Sequence, residues 1–200
     1  VNLKGVGETT QEKLKKLNVY EILDLLRLLP NRYLDYSKKV TLDKVDKEKI
    51  TVSFLAQITN VKQYYTKTGK LFTEALAKDE TGSVKLIWFN NPYIKRLISD
   101  ETTYTIAGKT SSFANKVCLI SPTIEEGDSL TLNTSGLVPI YPQTQGINSR
   151  WLRQKINIIL NTADLIDPLD PIDEYKQTTS LINAYKNIHF PSNKEDKKLM

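Results

Sequence analysis

Apolar side chains recur at helical spacing in the first fifty residues. Leu14 and Leu17 fall on one face of a helix, and a capping box from Thr9 to Glu12 predicts where that helix begins. Leucine and isoleucine residues at 22–29 follow the same period and are succeeded by a proline, which ends a helix. The segment therefore predicts two short helices, arranged as a helical hairpin.

Near residue 50 the pattern changes to the alternation that is typical of strands. Residues 51–61 alternate over most of their length and are rich in β-branched side chains. Turn-forming residues separate this segment from the elements that we predict next: strands at 71–77 and 83–89, a short helix at 91–98, and strands at 103–107 and 116–121. Three strands, a helix and two more strands is the order of an OB-fold. We therefore predict a mainly β fold with flanking helices, built on a five-stranded OB-fold barrel.

The last third of the chain is predicted to be extended and helical. The expected elements are an acidic turn at 125–129, a strand at 129–133, an extended proline-containing segment at 137–142, helices at 149–162 and 180–188, and a loop between them at 164–171. These patterns divide the chain into a hairpin of the helix-hairpin-helix kind at 1–49, an OB-fold domain at 50–122, and a linker with helices at 123–200.

The formal net charge of +5 is unevenly distributed along the 200 residues. Residues 1–50 hold 11 basic and 8 acidic groups, residues 51–121 hold 9 and 5, and residues 122–200 hold 8 and 10. The positive excess of the first two segments suits a polyanion such as DNA or RNA. A solvated basic surface without a partner is the alternative interpretation.

The single cysteine and the single histidine exclude several kinds of site. Cys118 is the single cysteine, so the chain can form neither an intrachain disulfide nor a cysteine-rich zinc site. His189 is the single histidine, which also excludes zinc sites that need several histidines. No apolar run approaches the roughly 20 residues of a membrane span, and the start at Val1 does not resemble a signal peptide. We expect a cytoplasmic protein without a membrane partner, and a chain that is part of a longer one.

The sequence predicts no catalytic site and no metal site. Gly108-Lys109-Thr110 resembles the end of a P-loop, but that motif needs a further glycine at position 103, which is a threonine. Carboxylates at 164, 167, 170 and 173 lack the glycine-containing loop of an EF-hand and are interrupted by prolines. We therefore interpret them as part of a solvated loop.

Aromatic and basic side chains occur together where the third strand of the barrel ends. Trp88 and Phe89 are neighbours on a strand, so one enters the barrel and the other faces outward. Tyr93 follows four residues after Phe89, and Lys95 and Arg96 come next. Exposed rings beside basic groups suit base stacking and phosphate contact. The alternative is that both rings only cover the end of the barrel.

Gly5 and Gly7 are a second candidate for a nucleic-acid contact. A Gly-x-Gly turn before a short helix can direct backbone N–H groups at a phosphate. A turn with a purely structural role explains the same two glycines equally well.

Five segments together resemble a known family, the wedge domain of RecG, a bacterial ATP-dependent DNA helicase. They occur in the family's order and cover nearly the whole chain: residues 3–7, 23–33, 88–93, 139–146 and 188–191. The resemblance implies an OB-fold that lies at a DNA junction, with the family's two stacking aromatics at Phe89 and Tyr93. It further implies branched DNA as the partner, at stalled forks and Holliday junctions during recombination and repair, and a monomer.

The resemblance also implies where energy is supplied. RecG-like proteins continue into two motor domains that use ATP and Mg²⁺, so no cofactor is expected within these 200 residues. Two other interpretations of the chain stay open, an OB-fold that binds RNA and a protein-interaction module with no role in nucleic-acid binding.

Overall fold

The computed structural model describes residues 3–46, 48–127, 131–162 and 180–191. Contacts within the chain divide it into two units, one formed by Val1–Leu34 with Leu137–Met200 and the other by Asp35–Gly136. The boundaries of these units do not coincide with the three predicted segments, whose assignment as domains stays a prediction.

Eight strands and five α-helices follow one another along the described residues, with one 3₁₀ turn. In chain order they are α1 (Glu8–Lys15), α2 (Ile22–Arg27), β1 (Arg32–Tyr36), the 3₁₀ turn (Leu42–Lys44), β2 (Thr51–Tyr65), β3 (Leu71–Lys78), β4 (Ser83–Phe89), α3 (Ile94–Leu97), β5 (Thr103–Phe113), β6 (Lys116–Ile120), β7 (Thr123–Glu126), β8 (Gly136–Ile140), α4 (Ser149–Thr162) and α5 (Leu181–His189).

Six of the strands form one sheet in the order β2-β3-β4-β6-β5-β7, and β2 pairs with β5 as well. The β4–β6 pair is parallel, whereas the other pairs are antiparallel. The predicted fold class, mainly β with flanking helices on an OB-fold, is confirmed. The prediction of five strands is incomplete, because β7 adds a sixth strand along β5.

The core of the sheet follows directly from the alternation in the sequence. Side chains at every second position of β2 and β4, such as Phe54 and Ala56 or Leu86 and Trp88, are buried in one cluster. Their neighbours in the strands point to the other face of the sheet. Burying one apolar face in this way is the main free-energy gain that holds the strands together.

The helices of the other unit pack around leucine and isoleucine side chains. Leu25 and Leu26 of α2 share a buried cluster with Leu152 and Ile156 of α4. Residues 149–162 form the predicted helix, and the last helix begins and ends one residue later than predicted. Within the described residues, no helix combines the length and apolar character needed to cross a bilayer.

The predicted start of the first helix is wrong. The N-cap of α1 is Gly7, which has no side chain to accept a hydrogen bond, so Thr9 and Glu12 lie inside the helix. A capping box occurs instead at α2, where Glu21 and Asp24 accept hydrogen bonds reciprocally from backbone N–H groups.

Three further predictions about strands need correction. The segment predicted as all-helical contains β1, which pairs with β8 more than a hundred residues away. The predicted acidic turn is wrong at its start, since Glu125 lies in β7 and accepts hydrogen bonds from the Asn133 N–H and the Thr134 hydroxyl at 2.9 Å each. That contact holds residues 132–134 in a turn, and none of residues 131–133 forms the predicted strand. Residues 128–130, the predicted loop at 164–171 and the end at 192–200 lie outside the described residues.

Candidate nucleic-acid interface

The end of β4 places two aromatic side chains on opposite faces of the sheet, as predicted. Trp88 points into the core, is 3% exposed, and donates a hydrogen bond from Nε1 to the Pro122 carbonyl over 3.0 Å. Phe89 points outward and is 41% exposed. The local reason is the period of two in a strand.

The loop after Phe89 is fixed by hydrogen bonds. Asn90 has a left-handed backbone with φ of 52°, which asparagine tolerates well, and its N–H donates to the Leu71 carbonyl over 2.8 Å. The side-chain oxygen of Asn91 accepts from the Tyr93 N–H over 3.2 Å, and the backbone carbonyl of Asn91 accepts from Gln63 Nε2 over 3.3 Å. This loop therefore leads from the sheet to Tyr93 along a defined path.

Tyr93 and the two basic residues project from the short helix α3. Tyr93 is the N-cap of this helix and is 67% exposed, while the next residue, Ile94, is buried in the core and fixes the helix on the sheet. Lys95 and Arg96 are exposed, and neither side chain has an ion pair or hydrogen bond to any residue in the described part of the chain. The predicted helix at 91–98 is thus only one turn long, but it presents all three side chains to solvent.

The structure brings further rings to Phe89 that the sequence interpretation missed. Phe72 of β3 lies opposite Phe89, with ring centroids 5.3 Å apart in an edge-to-face arrangement. Tyr64 and Phe113 also contact Phe72, at 5.2 and 5.9 Å between centroids. A signal existed for one of them, because the five-residue turn at 66–70 implies that Tyr64 and Phe72 face each other. No local signal identifies Phe113.

Gly5 and Gly7 form the expected turn in the other unit. Gly5 has φ of 79°, and the Gly7 carbonyl accepts from the N–H groups of the first helical turn. Glu8 places a negative charge in that turn, which opposes phosphate binding. Lys155 Nζ donates to the Lys4 carbonyl close to Gly5, which places a positive charge nearby and favours it. The predicted phosphate contact at Gly5 and Gly7 stays a prediction.

The remaining candidates for chemistry have structural roles. Gly108 and Thr110 lie within β5, where the Thr110 hydroxyl accepts from the Ile50 N–H over 3.0 Å, so these residues do not form a phosphate-binding loop. Cys118 is buried, and burial raises the pKa of its thiol, which disfavours the reactive thiolate. In the described ranges, no group of three histidine, cysteine or carboxylate side chains is placed to hold a metal ion.

Comparisons with known proteins agree with the resemblance. A family model described as the RecG wedge domain matches residues 2–162. Among curated proteins, the ATP-dependent DNA helicase RecG of Staphylococcus aureus strain MRSA252 is 27% identical over 98% of this chain and 29% of that protein. The RecG of Bacillus subtilis strain 168 is 26% identical over 99% of this chain and 29% of that protein. The chain thus spans less than a third of the length of the curated relatives it matches.

One solved structure, of RecG bound to a three-way DNA junction, has a TM-score of 0.81 to this chain at 24% sequence identity. The match covers 98% of this chain and 27% of that one. Nearly all of the present chain therefore shares its fold with one part of a longer protein.

Proposed function

Because this chain belongs to the RecG wedge domain family, we propose that it binds branched DNA at the point where the strands separate. Phe89 and Tyr93 would stack on the bases next to the branch, and Lys95 and Arg96 would contact the neighbouring phosphates. Its relatives are ATP-dependent DNA helicases, and one similar structure holds a three-way DNA junction, which supports this assignment.

The observation on which this proposal rests is the exposure of two aromatic rings on a fixed loop. Large apolar side chains that are exposed together on a protein surface often mark a binding site. Here the hydrogen bonds of Asn90 and Asn91 hold the loop, so little conformational entropy is lost when bases stack on the rings. Two cations without partners in the described chain lie next to them and suit phosphates.

The chain would act as one part of a longer enzyme. In that protein, motor domains that use ATP and Mg²⁺ would pull the duplex while Phe89 and Tyr93 separate its strands. Within the present chain, Gly108 and Thr110 lie in β5 and do not form a P-loop. In the same proposal the protein is a monomer and acts in the cytoplasm.

Binding of a fluorescent three-way junction, measured by anisotropy across a salt series, tests the proposal. Phe89→Ala or Tyr93→Ala should each weaken junction binding by about 1–3 kcal/mol, the usual range for a lost base stack. Lys95→Ala and Arg96→Ala should weaken binding to all DNA shapes and flatten its salt dependence, since each phosphate contact releases counterions.

Two matched variants control for unspecific effects. Tyr20→Ala removes a ring that is 71% exposed in the other unit, and Lys78→Ala removes an exposed lysine at the other end of β3 from Phe72. Both should leave junction binding unchanged. Equal affinity of the wild type for a junction and for an unbranched duplex would contradict the proposal.

The same assay separates the two other candidate functions. Preference for single-stranded RNA over the junction would favour an RNA-binding OB-fold. Absence of salt-dependent binding to either nucleic acid would favour a protein-interaction module.

A further inference from the structure

The outer face of the sheet has an apolar cluster of its own. Phe72, Ile87 and Cys118 are each at most 4% exposed and pack together. Leu86 and Trp88, the neighbours of Ile87 in β4, belong to the main core instead, so the two clusters lie on opposite faces. A phenylalanine that is buried on an outer face needs a cover, and here the cover consists of other aromatic rings.

Three partly exposed rings surround Phe72. The centroid distances from Phe72 are 5.2 Å to Tyr64, 5.3 Å to Phe89 and 5.9 Å to Phe113. These three side chains are 46%, 41% and 42% exposed, so each ring has a packed inner edge and an open outer part. We call Tyr64, Phe72, Phe89 and Phe113 the aromatic platform. Phe72 contacts each of the other three rings and so helps to fix their positions.

The strand register sets the size of the aromatic platform. Tyr64 lies opposite Phe72, and Phe72 lies opposite Phe89, so the three residues form a row across β2, β3 and β4. Adjacent strands are about 4.8 Å apart, which places Tyr64 and Phe89 about 10 Å from each other. A nucleic-acid strand has one phosphate per about 3.4 Å in a stacked form. The length of the row therefore corresponds to about three nucleotides of a stacked strand.

The charged residues of the hairpin next to Tyr64 are all basic. From residue 57 to residue 73 the chain has three lysines, Lys62, Lys67 and Lys70, and no acidic residue. All three lysines are exposed. Further along β3, Glu74 is paired with Lys85 over 3.1 Å, so its charge is largely compensated. A strand of phosphates would thus meet only positive charge on this hairpin.

We propose that the aromatic platform binds the first few unpaired nucleotides of one strand that leaves the junction. Tyr64 and Phe113 would extend the stacking surface beyond Phe89, and the lysines of the β2–β3 hairpin would contact the phosphates. This inference rests on the proposed junction binding, and it adds a track for single-stranded DNA that Phe89 and Tyr93 alone do not provide.

Three-way junctions with one single-stranded arm of 0, 3 or 8 nucleotides test the inference in the anisotropy assay. Wild-type affinity should rise between 0 and 3 nucleotides and change little between 3 and 8. Tyr64→Ala should lower affinity for the junctions with an arm by about five- to tenfold, in the range of one lost base stack, and leave the junction without an arm unaffected. Tyr64→Phe should retain wild-type binding, because a phenylalanine ring stacks as well.

Tyr65→Ala is the matched control, since Tyr65 is the adjacent residue of the same strand and points to the other face. It should leave the gain from the arm unchanged. As an independent readout, a 2-aminopurine placed at the first three arm positions should lose fluorescence on stacking against the wild type and not against Tyr64→Ala.

The possible results have distinct meanings. Equal affinity for junction and plain duplex contradicts junction binding itself, whereas tight junction binding without any effect of the arm overturns only the aromatic platform as a binding site. An effect of Tyr65→Ala as large as that of Tyr64→Ala also overturns it. So does a Tyr64→Ala variant with a lowered melting temperature and unaltered 2-aminopurine quenching, because Tyr64 would then only cover Phe72.

Discussion

At the scale of single residues, Trp88 and Phe89 show how two neighbouring residues of one strand differ in burial. Both are large aromatic residues, but the period of two in β4 buries the first and exposes the second. The buried indole also satisfies its N–H group through the Pro122 carbonyl, as a buried donor requires.

Trp88→Ala should therefore lower the free energy of unfolding by about 3–5 kcal/mol, because it leaves a cavity in the core. Phe89→Ala should cost less, about 0.5–1.5 kcal/mol, since it loses mainly the edge contact with Phe72. Urea unfolding followed by circular dichroism measures both changes. The assignment of faces would be wrong if Phe89→Ala destabilised the fold more than Trp88→Ala.

At the scale of elements, His189 connects three parts of its unit through one buried ring. Its Nε2 donates to the Leu26 carbonyl of α2 over 2.7 Å, so its Nδ1 accepts from the Tyr141 hydroxyl over 2.8 Å when the ring is neutral. The side chain is fully buried at the end of α5. Burial lowers the pKa of His189, and the hydrogen bond to Leu26 opposes this change only in part.

This arrangement predicts a pH dependence of stability. The unfolded chain takes up a proton on His189 below pH about 6.5, while the folded chain does not until a lower pH. The free energy of unfolding should thus be constant above that pH and fall as the pH decreases, by no more than about 1.4 kcal/mol per pH unit.

Urea unfolding at pH 7.5 and pH 5.5 checks the effect, with His189→Gln as the comparison. The sequence has a single histidine, so the variant should be less stable at pH 7.5 and should lose the difference between the two pH values. The same pH dependence in both proteins would show that another group titrates.

At the scale of the whole molecule, the surface that we propose separates strands lies on a chain that spans less than a third of the length of its curated relatives. Its positive charge lies mainly in residues 1–121, and the aromatic rings lie within the same stretch. Its relatives are more than three times as long and are named for ATP-dependent activity.

In a full-length helicase that contains this domain, replacing both Phe89 and Tyr93 with alanine should reduce fork unwinding more than ATP hydrolysis. The rings would act on the strands and not on the nucleotide, so the motor should continue to turn over without productive separation. Parallel assays of fork unwinding and of ATPase activity stimulated by single-stranded DNA measure the two effects. If fork unwinding and ATPase activity were reduced equally, the two rings would instead be needed for ATP hydrolysis by the motor domains.

The sequence by itself determined the elements whose pattern is local. Alternation located β3, β4 and β6 closely, and helical spacing located α4 at its observed bounds. It also placed Trp88 and Phe89 on opposite faces, because the direction of adjacent side chains depends only on the backbone of one strand.

The tertiary structure alone decided which distant strands pair and which rings from distant strands meet. The sequence pattern did not reveal β1, because this strand is short and its partner β8 is about a hundred residues away. It did not reveal β7 either, because the acidic residues of this strand are also typical of a turn. The aromatic platform is complete only because Phe113 of β5 approaches Phe72 of β3. Such contacts follow from the packing of distant segments, which no local period in the sequence encodes.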